Sequence, residues 1–229
     1  MTDSPPIQLL PGMSFDFPVF HRLLPLLPNA EVVDFIPPIP HESLQSYAER
    51  MSVRCSDGAF LGGISFGGIV ASEIARHINP LGFIQIASIA YPRELPPWFR
   101  LGRLIGGAAA SRTMSLASRI AATIPARVQS SSTMRISRLG GESGVWHRWA
   151  VGAVLDWNPE EVLDCPCLRI HGTHDTTFPA RYVQADVVIE GGTHNLPISN
   201  PLDTANAILG FIDGVQRKKP QDERSHPGA

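Results

Sequence analysis

Ser65 stands in Gly63-Ile64-Ser65-Phe66-Gly67, between the apolar run from Ala59 to Ile64 and a helical pattern from Gly67 to Ile78. A serine between glycines, where a strand must turn sharply into a helix, is well placed to be a nucleophile. The tight turn leaves no room for side chains on either side, and the helix N-terminus adds positive potential where an oxyanion would develop. A serine hydroxyl is a weak nucleophile at neutral pH until a base takes its proton, and that base needs a third group to orient it. Two later segments offer these partners. Leu168-Arg169-Ile170-His171-Gly172-Thr173-His174-Asp175 reads as a strand running into a loop, and Gly191-Gly192-Thr193-His194 follows a further strand over Asp186 to Glu190. Asp175 as acid and His194 as base are therefore expected at strand ends, on the sheet edge that carries Ser65. His171 and His174 flank the acid and are the competing imidazoles, either as base or, with His194, as metal ligands. A base there would leave the Gly-Gly-Thr-His turn without a role, so both are expected to make local hydrogen bonds.

An acyl-transfer site also needs donors for the oxyanion. The amide after the nucleophile, that of Phe66, is one candidate, and the loop after the first strand offers Met13, with Gly12 of Pro11-Gly12-Met13 permitting the turn. The Met13 side chain would then line an acyl pocket. Asp156 and Asp164 precede the strand at Leu168 and so fall at the wrong edge of the sheet.

These residues need a sheet to hold them. Ile7 to Leu10, Glu31 to Pro37, Ala59 to Ile64, Phe83 to Ala90, Leu168 to His171 and Asp186 to Glu190 read as buried strands. Between them, Phe17 to Leu27, His41 to Arg54 and Gly67 to Ile78 have helical spacing, and a last helix runs from Pro201 to about Gly214. Strands alternating with helices predict a parallel sheet covered on both faces. Residues 1–96 and 159–216 make up this core. Residues 97–158 break the rhythm and read as a helical lid inserted after the fourth strand, and 217–229, polar with Pro220 and Pro227, as a disordered tail.

The chain has 229 residues, 43% of them hydrophobic and 17% charged, which suits one domain with a sizeable core. Met1 to Pro6 carries no cationic stretch before an apolar run, and no window approaches the roughly 20 apolar residues of a membrane span, so a cytoplasmic protein is expected. Cys55, Cys165 and Cys167 cannot all pair and are expected as buried thiols in a reducing compartment. The net charge of −2 hides an asymmetry: residues 97–150 hold eight arginines and one acid, Glu142. From Arg100 to Arg138 no aromatic residue interleaves with the arginines for stacking, which argues against nucleic acid.

Leu9-Leu10-Pro11-Gly12-Met13 and Leu61-Gly62-Gly63-Ile64-Ser65-Phe66-Gly67-Gly68, with Ala71 and Glu73-Ile74-Ala75 on the following helix, resemble the α/β-hydrolase superfamily. The first half is similar to thioesterases of fatty-acid, polyketide and nonribosomal-peptide synthesis. The likeness covers about residues 7 to 90 and 166 to 214. It implies an α/β-hydrolase fold of about six strands that lacks the usual leading hairpin. The order Ser65, Asp175, His194 is that superfamily's triad order. Many such thioesterases place the acid directly after the strand equivalent to Phe83 to Ala90. Here that strand runs into Ser88-Ile89-Ala90-Tyr91-Pro92 without an aspartate, so the acid falls to Asp175. The resemblance implies a serine hydrolase, carboxylesterase or thioesterase, that works without cofactor or metal on a small acyl ester or thioester. An anionic carrier such as acyl-CoA or an acyl carrier protein would suit the arginine-rich lid. The alternative from another class is a small-molecule-binding protein that has the fold and turns over nothing.

Overall fold

The computed structural model describes residues 4–13, 18–97, 99, 142–159 and 162–222. Its centre is a six-stranded sheet of β1 (Ile7–Leu10), β2 (Ala30–Val32), β3 (Phe60–Ile64), β4 (Gly82–Ile86), β5 (Cys167–Gly172) and β6 (Val187–Ile189). The strands lie in the order β2-β1-β3-β4-β5-β6, and every neighbouring pair is parallel. β1, β3 and β4 are buried along their whole length, which is why they read as continuous apolar runs and not as alternating ones.

Side-chain alternation along the strands feeds two cores. Phe60, Ile64, Ile84 and Ile86 join Val19, Phe20, Leu23, Ile208 and Ile212 on one face. Leu61 and Phe83 join the other face, built by α1 (Leu44–Ser52), α2 (Phe66–Ile74) and α3 (Glu142–Asp156). α4 (Leu196–Ser199) and α5 (Pro201–Asp222) complete the described helices. After β1 the chain crosses to one side to form β2 and then returns to the other side of β1 for β3. The connections thus diverge at the carboxyl ends of β1 and β3 and open a crevice there, the usual ligand position in such sheets.

Four expectations are corrected. Phe17 to Leu27 has helical spacing, yet from Pro18 onward it forms turns and a 3-10 turn over Leu24–Leu26, with bonds such as Leu26 N–H to Leu23 O. Pro18, Pro25 and Pro28 remove the donors an α-helix needs, although Phe20, Leu23 and Leu27 are buried as their spacing requires. β2 ends at Val32 instead of Pro37, because Phe35 leaves the sheet to pack on Tyr47, Phe66 and Trp146. The polar tail expected from 217 is helical as far as Asp222. Residues 223–229 lie outside the described residues, as does most of the expected lid, 100–141. Of the thiols, Cys55 and Cys165 are half-buried, but Cys167 is exposed, since it opens β5 at the sheet's rim.

α3 is tied firmly to the body. Trp157 Nε1 donates to the buried Glu73 carboxylate on α2 at 2.8 Å, Trp149 Nε1 to Glu42 O at 2.8 Å, and Gln45 to Asn158 O at 3.4 Å. Among the described residues, no helix is long and apolar enough to cross a membrane.

Candidate active site

Ser65 sits between β3 and α2 with φ 54° and ψ −124°, a backbone conformation a side chain rarely adopts. The surroundings hold it there. Ser65 N–H donates to Ile86 O at 2.9 Å, and Ser65 O accepts from the buried Ser88 hydroxyl at 2.6 Å and from Gly68 N–H at 3.0 Å. The turn closes only because the glycines interlock. A Cβ on Gly63 would come within 2.5 Å of the Gly67 carbonyl carbon, and one on Gly67 would run into the carbonyl oxygens of Leu10 and Pro11. Because those obstacles are backbone, Gly67→Ala is expected to cost about 2–3 kcal/mol and to lower Tm by ~5–10 °C in a thermal melt. An unchanged Tm would contradict this packing.

Asp175 and His194 reach the same edge on two loops that are stitched together. Thr173 N–H donates to Ile189 O, His174 N–H to Gly192 O, and Gly191 N–H to the Thr173 hydroxyl. Asp175 is buried, and both of its oxygens are fully engaged. Oδ1 accepts from the amides of Thr177 and Phe178 at 2.8 Å each, and Oδ2 faces His194 Nδ1 at 2.8 Å and His171 Nε2 at 3.2 Å. Burial by itself would push this carboxyl up. The hydrogen bonds from His171 and His194, the His194 charge and the Phe178 amide outweigh it and hold Asp175 well below the usual carboxylate range. On the far side of the ring, His194 Nε2 lies 2.9 Å from Ser65 Oγ. Because Asp175 Oδ2 is an acceptor, Nδ1 carries the imidazole proton, and Nε2 is left to accept the one on Ser65.

The three residues singled out from widely separated segments are thus joined in one hydrogen-bonded chain from serine to carboxylate. Such a chain can take a proton from the serine as the hydroxyl attacks and stabilise the imidazolium that results. The competing imidazoles stand elsewhere: His174 is exposed, and His171 is buried beneath Asp175, with Nε2 also directed at Phe178 O. Among the described residues, no group of three or more His, Cys, Asp or Glu is placed to hold a metal ion.

Next to Ser65 and His194 opens a cavity of about 520 Å³, walled by Met13, Leu95, Val151, Val154, Leu155 and Phe178 among others. α3 supplies three of these side chains, and Met13 packs against its Val151 and Leu155. Gly12 brings the loop after β1 beside Ser65: a Cβ on it would lie 3.5 Å from Ser65 Cβ. Phe66 opens α2, in the first turn, where amides have no partner within the helix.

No protein-family model and no curated protein matches the sequence. Solved structures do match over nearly the whole chain. A thermophilic esterase from Thermogutta terrifontis superposes with a TM-score of 0.63 at 21% identity, covering 92% of this chain and 90% of its own. The type II thioesterase BorB of the borrelidin biosynthetic cluster gives a TM-score of 0.62 at 14% identity over 93% and 94% of the two chains. The chain has the α/β-hydrolase fold. MenH from S. aureus superposes as well, with a TM-score of 0.65 at 15% identity over 92% of this chain and 94% of its own. These likenesses bear on the α/β-hydrolase fold, and what happens at the site must be argued from the site.

Two contributors could not be read from the sequence. Ser88, which stands where an aspartate might, anchors the Ser65 turn through Ser65 O. His171, read as making local hydrogen bonds, contacts the carboxylate that orients His194. A lone serine and a lone histidine at strand ends carry no spacing that would mark them out.

Proposed function

We propose that the protein is a serine hydrolase that cleaves a carboxylic ester or thioester through an acyl-enzyme on Ser65. The observation that carries this reading is the 2.9 Å and 2.8 Å bridge that His194 makes between Ser65 Oγ and Asp175, at the mouth of an apolar cavity. Ser65 Oγ attacks the carbonyl carbon while His194 Nε2 takes its proton. The oxyanion is held by the amides of Phe66 and Met13, at the start of α2 and in the loop beside Gly12. His194 then returns the proton to the leaving group, and water admitted to the site deacylates the serine by the same steps. Asp175 keeps the imidazole in the working tautomer. The acyl group lies in the cavity between Met13 and α3, whose aliphatic walls favour an uncharged chain.

The esterase and thioesterase among the structural neighbours support both leaving groups. Carrier thioesters such as acyl-CoA or acyl carrier protein are the candidates for the second, drawn by the arginines of residues 97–150. The deciding experiment is covalent labelling with a fluorophosphonate probe. The wild type should label, and Ser65→Ala and His194→Ala should not. A folded wild type that stays unlabelled would replace this reading with that of a binding protein. Hydrolysis of acyl-CoA and of p-nitrophenyl esters compared at low and high salt separates the leaving groups, because charge steering fades with ionic strength.

A further inference from the structure

Two imidazoles meet on one carboxylate oxygen, and only one of them reaches the serine. His171 is 1% exposed and projects from β5 beneath the loop that carries Asp175. Its Nε2 faces Asp175 Oδ2 at 3.2 Å and also Phe178 O. Both are acceptors, so Nε2 carries a proton and shares it between them, the opposite tautomer to that of His194. Both residues that supply these acceptors also touch His194. Asp175 Oδ2 takes the His194 Nδ1 proton, and the Phe178 ring stands edge-on to the His194 ring, with centroids 5.5 Å apart at 74°.

We propose that His171 is a positioning residue for the base: its one N–H fixes both the carboxylate that orients His194 and the residue whose ring bounds it. The amides of Thr177 and Phe178 hold Asp175 by Oδ1 alone, so without a second partner from the body of the fold Oδ2 and the His194 bonded to it could swing together about that anchor. His171 removes the freedom. It also closes the loop from Asp175 to Phe178 back onto the strand it leaves, so that the loop and His194 keep a single arrangement. The serine-hydrolase reading is presupposed, but the effect runs through orientation, and misplacement of a catalytic group by a fraction of an ångström to an ångström is costly.

The test compares His171→Phe, which keeps a ring and loses the donor, with His171→Gln, whose amide N–H can reach the place of Nε2. Hydrolysis of a p-nitrophenyl ester and the rate of fluorophosphonate labelling are measured on each, with concentrations normalised to folded protein by near-UV circular dichroism. His171→Phe should lose about 10–100-fold in kcat with KM within about twofold, and labelling should slow in step, whereas His171→Gln should recover to within about threefold of wild type. Should the phenylalanine variant not fold, His171→Asn takes its place, since the shorter amide cannot reach Oδ2. Equal activity per folded molecule in wild type and the donor-less variant, or equal losses with phenylalanine and glutamine, would overturn the proposal and leave the hydrolase reading intact. An unlabelled wild type would overturn both.

Discussion

Ser65→Ala is expected to lower hydrolysis of an activated ester by about 10⁵–10⁶-fold while the protein melts within a few degrees of the wild type. In the proposed mechanism the hydroxyl is the attacking atom, and among the described residues that line the cavity it is the one hydrogen-bonded to His194 Nε2. The fold should tolerate the change. The turn is held by backbone bonds from Ser65 N–H to Ile86 O and from the Ser88 hydroxyl to Ser65 O, none of which uses the lost side chain. Alanine at φ 54° also bears much the same backbone strain as serine. A small residual rate above that in water should survive, because the cavity and the oxyanion donors remain. Activity within tenfold of wild type would remove Ser65 from the mechanism.

Asp175→Asn is expected to cost about 10⁴-fold in kcat for a reason visible in its four contacts. The amides of Thr177 and Phe178 donate to Oδ1, so an asparagine would set its carbonyl oxygen there and turn its NH₂ toward His194 and His171. His194 would then have to accept at Nδ1, which moves its proton to Nε2 and aims it at Ser65 Oγ. The base would present a donor where it needs a lone pair. Stability should respond to pH as well. The folded-state pKa of Asp175 is depressed, so the unfolded chain binds its proton first as the pH falls. The stabilisation is therefore fully present above the ordinary carboxylate pKa of about 4, and it is lost as the pH drops through the lower folded value. Melting curves between pH 7 and pH 2 should show Asp175→Asn less stable than wild type at neutral pH, with the gap narrowing in acid. A gap that stays constant would mean that the carboxylate's charge contributes nothing to the fold.

The parts of this protein that were legible from sequence are those governed by local rules. Apolar runs such as Ala59 to Ile64 and Phe83 to Ala90 read as buried parallel strands because helices cover both faces, and the strands formed there are Phe60–Ile64 and Gly82–Ile86. The nucleophile turn was legible because a sharp strand-to-helix turn demands glycine at set offsets. Where two local signals disagreed, the stronger one prevailed. The spacing of Phe20, Leu23 and Leu27 correctly marked a buried face, but the prolines around them excluded the α-helix that spacing suggested.

The residue types and order of the candidate site, Ser65 then Asp175 then His194, were legible in the sequence alone, together with the sheet edge at which each emerges. Their meeting was a matter of tertiary structure. Ser65 and His194 are 129 residues apart, and only the parallel pairing of β3, β4 and β5, with two stitched loops beyond, brings Nε2 to 2.9 Å from Oγ. The same holds for the side chains that no motif announces. Ser88 beneath the Ser65 turn, His171 beneath Asp175 and α3 along the cavity act through contacts between distant segments, and a distance of that kind is set by packing, which leaves no periodic trace along the chain.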